Sequence, residues 1–468
     1  MKKMKSREGK YTGRLIVFLA LLVIAGATIA FADQGPAGGG GDGRFTRVIN
    51  RLKNPFSGFS GSGLGGIFGD PAVTEVNNKP RIRPHFAFNQ GFNSNARLGA
   101  RQADAAWQAR VAPGVTVAIP SGKLYTEADY TYGFSTTQGR KTRANISTHS
   151  INALARYDLS TDTTVGVGNN FQISEVPGIR PGEYFVLETA TGQVRHQLSP
   201  KLSANMEDTF QWFSDRSRGL FAGNSLENDF WDNGVGLGFS YDVTSDLSLG
   251  PTFNWNVRNF KRRNAKDYWQ ISPAIAGSYR IGPKTTLGGS FGWAYRRFSE
   301  KTVTTVGSHE SELVYGASVS HLLSRKVVWG VSYAKSIQDT FDTNFIFRDS
   351  PEATALDNLD RDFRVLKSHR VSSSVAYNIS EAQSVGAFGD FQIINGDQDD
   401  NITTHTKNHE KAMEIGARYS YRLTRYITFD FLYSFGRRFT GDKGTGSATG
   451  ERLDYTFHKV TGGVNIAV

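Results

Sequence analysis

Leu247-Ser248-Leu249-Gly250-Pro251-Thr252-Phe253-Asn254-Trp255-Asn256-Val257 changes from apolar to polar at nearly every step. A strand sends successive side chains to opposite faces, so this segment has one greasy face and one wet face. The alternation restarts roughly eighteen times from Ile82 to the C-terminus, often over 11–16 residues. Its second face carries Gly, Ser, Asn, Arg and Glu. A soluble sandwich alternates too. The number, length and polarity of these segments predict instead an all-β fold, a transmembrane antiparallel β-barrel with lipid outside and water inside.

The punctuation supports this. Short turns fall at Pro120–Lys123, Ser160–Asp162, Ser199–Lys201, Thr244–Asp246, Gly282–Lys284, Ser324–Lys326, Ser380–Gln383 and Thr424–Arg425, all rich in turn-forming residues. Longer connections alternate with them, among them Ser214–Glu227, Asp342–Asp360 and Gly396–Lys407. Short periplasmic turns and long outer loops are the habit of outer-membrane barrels. Nine long connections and eight short ones predict eighteen strands, with sixteen as the nearest alternative.

Ahead of the strands, residues 1–32 read as a secretory signal peptide. Basic residues (Lys2, Lys3, Lys5, Arg7, Lys10, Arg14) precede the apolar run Leu15–Ala30, which ends in Ala30-Phe31-Ala32. An uncleaved anchor is the alternative. Residues 33–80 read as a flexible Gly-rich periplasmic lead with one short helix near Phe45–Lys53, and residues 81–468 as the barrel. Gly61-x-Gly63-x-x-Gly66 matches a dinucleotide fingerprint in spacing alone, since no strand leads into it.

Composition removes several classes. With no cysteine there is no disulfide framework, no thiol nucleophile and no lipid-bearing Cys. The formal net charge is +11, and about half of it lies in the leader. No recognition motif accompanies the rest, so no nucleic-acid partner is expected. The mean hydropathy is −0.38, and the apolar run of the leader is the one segment suited to a membrane helix.

All seven tryptophans, Trp107, Trp212, Trp231, Trp255, Trp269, Trp293 and Trp329, fall on the apolar phase. Most sit in the half of the strand near a long connection, where an outer aromatic girdle belongs. The opposite phase offers lumen-lining candidates: Arg110, Arg156, Asn254, Asn256, Arg258, Arg280, Glu414 and Arg418. Charges there would be costly in a dry core and cost little in water. Phe345, Ile346 and Phe347 form an apolar run in a polar connection, which predicts a constriction loop folded into the mouth or lumen. A lid on neighbouring loops is the alternative.

Other constellations are weak. Asp397, Asp399 and Asn401 match the first calcium-loop positions, but Ile402 replaces the turn glycine and Asn408 the closing Glu. His405, His409 and Glu410 do not make a zinc motif. No cofactor or resident metal is expected, and no order of residues suggests an enzyme. Lys261-Arg262-Arg263 and Arg140, Lys141 and Arg143 form basic loops, solvated or in contact with anionic lipid or acidic sugar.

The run Trp107-Gln-Ala-Arg-Val-Ala-Pro113-Gly114-Val-Thr-Val-Ala-Ile-Pro120, with the strand Lys123–Phe134 after it, resembles the β-barrel porin 2 family of outer-membrane proteins. Pro84-His85-Phe86-Ala87-Phe88-Asn89-Gln90-Gly91-Phe92-Asn93-Ser94-Asn95 resembles that family's first strand. The resemblance spans most of the chain from about residue 80. It implies an outer-membrane barrel, with some members tied to exopolysaccharide operons, and it carries over no catalytic residue. A fainter internal echo links Ala112-Pro113-Gly114-Val115 with Ser272-Pro273-Ala274-Ile275, by duplication or by chance.

The last strand, Leu453–Val468, changes phase: Leu453, Tyr455 and Phe457 are odd, while Val460, Gly462, Val464 and Ile466 are even. A bulge near His458–Lys459 would reconcile the two halves. The functional expectation is a porin-like channel for small polar solutes in the Gram-negative outer membrane. The alternatives are a barrel for polysaccharide export, with Tyr268 and Phe388 offered to sugars, and an enzyme or adhesin on a barrel platform. Expected partners are outer-membrane lipid and lipopolysaccharide, the barrel assembly machinery and, for export, a polysaccharide.

Overall fold

The computed structural model describes residues 80–95, 105–140, 143–175, 184–215, 229–261, 267–299, 309–338, 363–398, 407–440 and 455–467 of the 468-residue chain. They form eighteen strands in one closed sheet: β1 Arg81–Asn93, β2 Ala106–Ser121, β3 Leu124–Gly139, β4 Arg143–Asp158, β5 Thr163–Glu175, β6 Tyr184–Ser199, β7 Leu202–Asp215, β8 Phe230–Asp242, β9 Leu247–Phe260, β10 Tyr268–Ile281, β11 Thr285–Phe298, β12 His309–Ser324, β13 Val327–Gln338, β14 Phe363–Asn378, β15 Gln383–Gln398, β16 Lys407–Arg422, β17 Ile427–Thr440 and β18 Tyr455–Ala467. Each strand pairs antiparallel with its sequence neighbours, and β1 pairs with β18 to close the ring. Closure leaves no sheet edge, so every strand finds backbone partners on both sides.

The eight short turns divide into two chemical kinds. In six, a hydroxyl accepts the backbone N–H two residues on: Ser160, Ser199, Thr244, Ser324, Ser380 and Thr424 do this at 3.1–3.3 Å. In the other two, Gly122 and Gly282 take positive φ of 50° and 62°, where a side chain would be strained.

Along most of each strand the two phases differ in chemistry. Outward positions carry residues such as Phe253 and Trp255 on β9, Phe291 and Trp293 on β11, and Phe429 and Phe431 on β17, all well exposed. Inward positions carry mostly Gly, Ser, Thr, Asn and charged residues.

Two proline pairs interrupt the wall at related places. Phe86 faces Pro113 and Pro84 faces Val115 across β1 and β2. Phe253 faces Pro273 and Pro251 faces Ile275 across β9 and β10, in the same arrangement. Pairing lapses at Pro113 toward β3, at Pro273 toward β11 and at Pro251 toward β8, without a change of register. Proline has no N–H to donate, so the ladder must skip there. The echo seen in the sequence is thus one local geometry used twice, inside β2 and inside β10.

The expected bulge in the last strand is absent. β18 pairs with β17 and with β1 in unbroken register. Phe457 faces inward and is buried, while Val460 onward alternate in the same phase. The apparent slip is an aromatic residue placed inside the barrel.

Candidate functional site

The register puts all eight candidate lumen residues on the inner face. Arg110 lies opposite Asn89 and Ser135, Arg156 opposite Tyr125 and Gly166, and Arg280 opposite Thr286. Asn254, Asn256 and Arg258 face Ser272, Gln270 and Tyr268. Glu414 and Arg418 share that face with Asp390 and Leu432.

Their surroundings differ. Arg418 holds Asp430 at 2.8 Å, and the other oxygen of Asp430 accepts from the Asn465 amide at 2.9 Å. Arg156 reaches Asp158 at 3.4 Å. Arg110 and Arg280 are exposed and have no carboxylate partner among the described residues. Asn254 and Asn256 lie flat along the wall over glycines of β8: a Cβ on Gly236 would stand 3.0 Å from the Asn254 Oδ1, and one on Gly234 2.8 Å from the Asn256 Oδ1.

Arg258 corrects the expectation of an open-water lining. It is 4% exposed, and its Nε donates to Asp232 Oδ2 at 2.9 Å. Its guanidinium stands 4.7 Å from the Phe230 ring centre and 5.8 Å from that of Tyr268. The Arg296 guanidinium stands 4.0 Å from the Tyr268 ring centre, and its Nε donates to Gln270 Oε1 at 2.9 Å. Phe230, Phe260, Tyr268 and Phe298 are all buried inward aromatics at strand ends near long connections. Cation–π contact offsets the desolvation of both arginines, helped by the Asp232 ion pair at Arg258 and by the Gln270 hydrogen bond at Arg296. Tyr268 is therefore packed beneath cations and is not offered to a sugar. Phe388 is inward and half-buried.

This cluster seats a bent lip. The β12–β13 ladder ends at Tyr315 and Lys335, although both strands run further. β13 stays paired with β14 to Gln338 and Leu366. Ile337, in phase with Trp329 and Tyr333, packs against the inward side chains Tyr268, Ala294 and Phe298. The paired ends of β13 and β14 therefore fold inward across β10–β12. Lys335 Nζ lies 2.5 Å from Glu312 Oε1, and Lys367 Nζ lies 3.1 Å from Glu312 Oε2 and 3.4 Å from Glu310 Oε2. Glu310 and Glu312 face inward by their register with Arg296 and Ala294.

Two further inward networks carried no sequence motif. Asp390 accepts from Arg370 at 2.9 Å and from the Ser372 hydroxyl at 2.5 Å. Asp129 lies 2.7 Å from both His85 Nε2 and Thr116 Oγ1. Pairs between neighbouring strands are invisible until register is known.

All seven tryptophans are on the outward face, with Trp212 directly opposite Trp231. Six lie in the long-connection half of their strands and Trp329 near a short turn. Beside them is a feature the sequence reading missed. The Tyr130, Tyr333 and Tyr433 hydroxyls lie 2.8–3.0 Å from Nδ1 of His149, His369 and His458 on neighbouring strands.

Phe345, Ile346 and Phe347, Asp399 and Asn401, the signal peptide and residues 33–79 lie outside the described residues. Asp397 ends near the tip of β15, and its side chain is also outside them. Among the described residues no group of three or more His, Asp or Glu could hold a metal ion.

No family model matches the chain, so its likeness to the β-barrel porin 2 family rests on the segments quoted above. No curated protein matches either. Among solved structures the chain is similar to Pseudomonas aeruginosa OccK5 (OpdH), with 10% identity and a TM-score of 0.46 over 83% of this chain and 98% of that one. It is similar to P. aeruginosa OpdQ, with 12% identity and a TM-score of 0.46 over 83% and 99%. It is also similar to Acinetobacter baumannii OccAB4, with 12% identity and a TM-score of 0.45 over 84% and 99%.

Proposed function

We propose that this chain is a porin-like channel of the Gram-negative outer membrane that passes small polar solutes. One observation carries the reading: eighteen strands close into a ring whose outward side chains are mostly apolar and whose inward side chains are mostly polar. Rings of 16–18 strands leave an aqueous lumen. An apolar exterior on a closed ring suits hydrocarbon, because no backbone group is left unpaired there. The outer face would meet outer-membrane lipid and lipopolysaccharide, after insertion by the barrel assembly machinery. Solute would diffuse past a wall whose unpaired arginines, Arg110 and Arg280, set the charge preference. The outer girdle would be the six tryptophans in the long-connection halves of their strands, with Trp329 near the opposite end.

Single-channel recording in planar bilayers tests this. Stepwise, stable ohmic conductance is expected from the purified chain. A correctly inserted barrel that passes no ions would contradict the channel reading.

A further inference from the structure

The outward face of β5–β8 breaks the rule that the rest of the wall keeps. Asp208, between Met206 and Phe210, faces outward at the middle of β7. Among the described residues it is the one charged side chain facing outward more than five residues from either end of its strand. Asn233 Nδ2 donates to its Oδ1 at 2.9 Å. On the adjoining strands, Asn169 Nδ2 donates to Glu188 Oε1 at 3.2 Å, again on the outward face. Each amide meets one oxygen of its carboxylate.

Depth makes this costly. Asp208 lies four residues along β7 from Trp212, about 13 Å of strand, on the side away from the long connection. Hydrocarbon offers nothing to the second oxygen, and lipid-facing charge is penalised most near mid-depth. The surface is also dented there. Gly192 faces Asp208 across β6 and β7, and a Cβ built on it meets nothing within 4 Å. Ala190 lies beside it.

We infer that the β5–β8 outward face docks a second copy of this chain. Rotation about the membrane normal keeps two copies at equal depth. The Asn169–Glu188 half of one then meets the Asp208–Asn233 half of the next, and amides complement carboxylates. A lipid tail has no donor, whereas another copy brings the second N–H of Asn169; that of Asn233 already reaches Thr209 O at 3.5 Å. This rests on the outward face being lipid-facing.

The chain has no cysteine, so single-cysteine variants report contact cleanly. Gly192→Cys, at an open position, should form a disulfide-linked dimer on oxidation in lipid-rich vesicles. Ala387→Cys, outward on β15, should not. Adding Asp208→Leu and Glu188→Leu to Gly192→Cys should weaken association about tenfold. Light scattering of the cysteine-free chain in detergent should give more than the monomer mass. Equal cross-linking at both sites, none at Gly192→Cys, or a monomer mass overturns the inference. So does a monomer that retains lipid phosphate in a manner dependent on Asp208. Heat-modifiable migration and vesicle insertion are scored separately: an inserted monomer defeats this inference, and a chain that does not insert defeats the channel reading.

Discussion

The Arg258 guanidinium and the Asp232 carboxylate form a 2.9 Å ion pair inside the barrel, with side-chain exposures of 5% and 12%. Phe230 and Tyr268 flank it. It lies on the polar phase of β8 and β9, yet it is packed as tightly as a core.

Removing one partner of such a pair strands the other. Asp232→Ala should cost about 3–5 kcal/mol of stability. Arg418→Ala should cost only about 0–1 kcal/mol, because Arg418 is 62% exposed beside Asp430. Denaturant unfolding of the barrel in lipid vesicles measures both. Equal losses would remove the distinction between a clad and a wet part of the wall.

The clasp on the β13–β14 lip should control the pore. Glu312 receives Lys335 and Lys367 together. Glu312→Gln should loosen the lip and raise open-channel noise or conductance, read in single-channel records. A trace matching the native one would mean that the lip stands clear of the conducting path. Replacing Phe345, Ile346 and Phe347 with Ser tests the constriction loop in the same recording.

Charge preference should follow the unpaired arginines. Arg110→Glu with Arg280→Glu should move the reversal potential in a salt gradient toward cations. Neutralising Arg418, already balanced by Asp430, should move it less. The reverse order would reassign the selectivity.

The glycines of β8 let amides lie along the wall. Gly234→Val and Gly236→Val would push Asn256 and Asn254 off it, and the far end of a flexible side chain moves at little cost. The barrel should survive, and conductance should fall. Undiminished conductance would place the narrow point elsewhere.

Much of this was legible in the sequence. Strand number followed from the two-residue period and from Ser, Thr and Gly at the turns, where hydroxyl caps and positive φ act locally. The tryptophan phase was readable because one face of most strands is predominantly apolar. The inward aromatics were not: Phe230, Phe260, Tyr268, Phe298 and Phe457 break phase near strand ends. In β18 that break looked like a bulge. Their signal was available, as aromatic residues on the polar phase within a few residues of long connections. Asp232–Arg258, Asp390–Arg370 and the lip clasp depend on cross-strand register and a bent ladder, which a linear pattern does not encode.

A wall that divides hydrocarbon from water places all seven tryptophans where their emission reports on it directly. In vesicles, lipids brominated along their chains should quench most of the indole emission, while aqueous iodide should quench little. Strong iodide quenching with no effect of brominated chains would contradict that division.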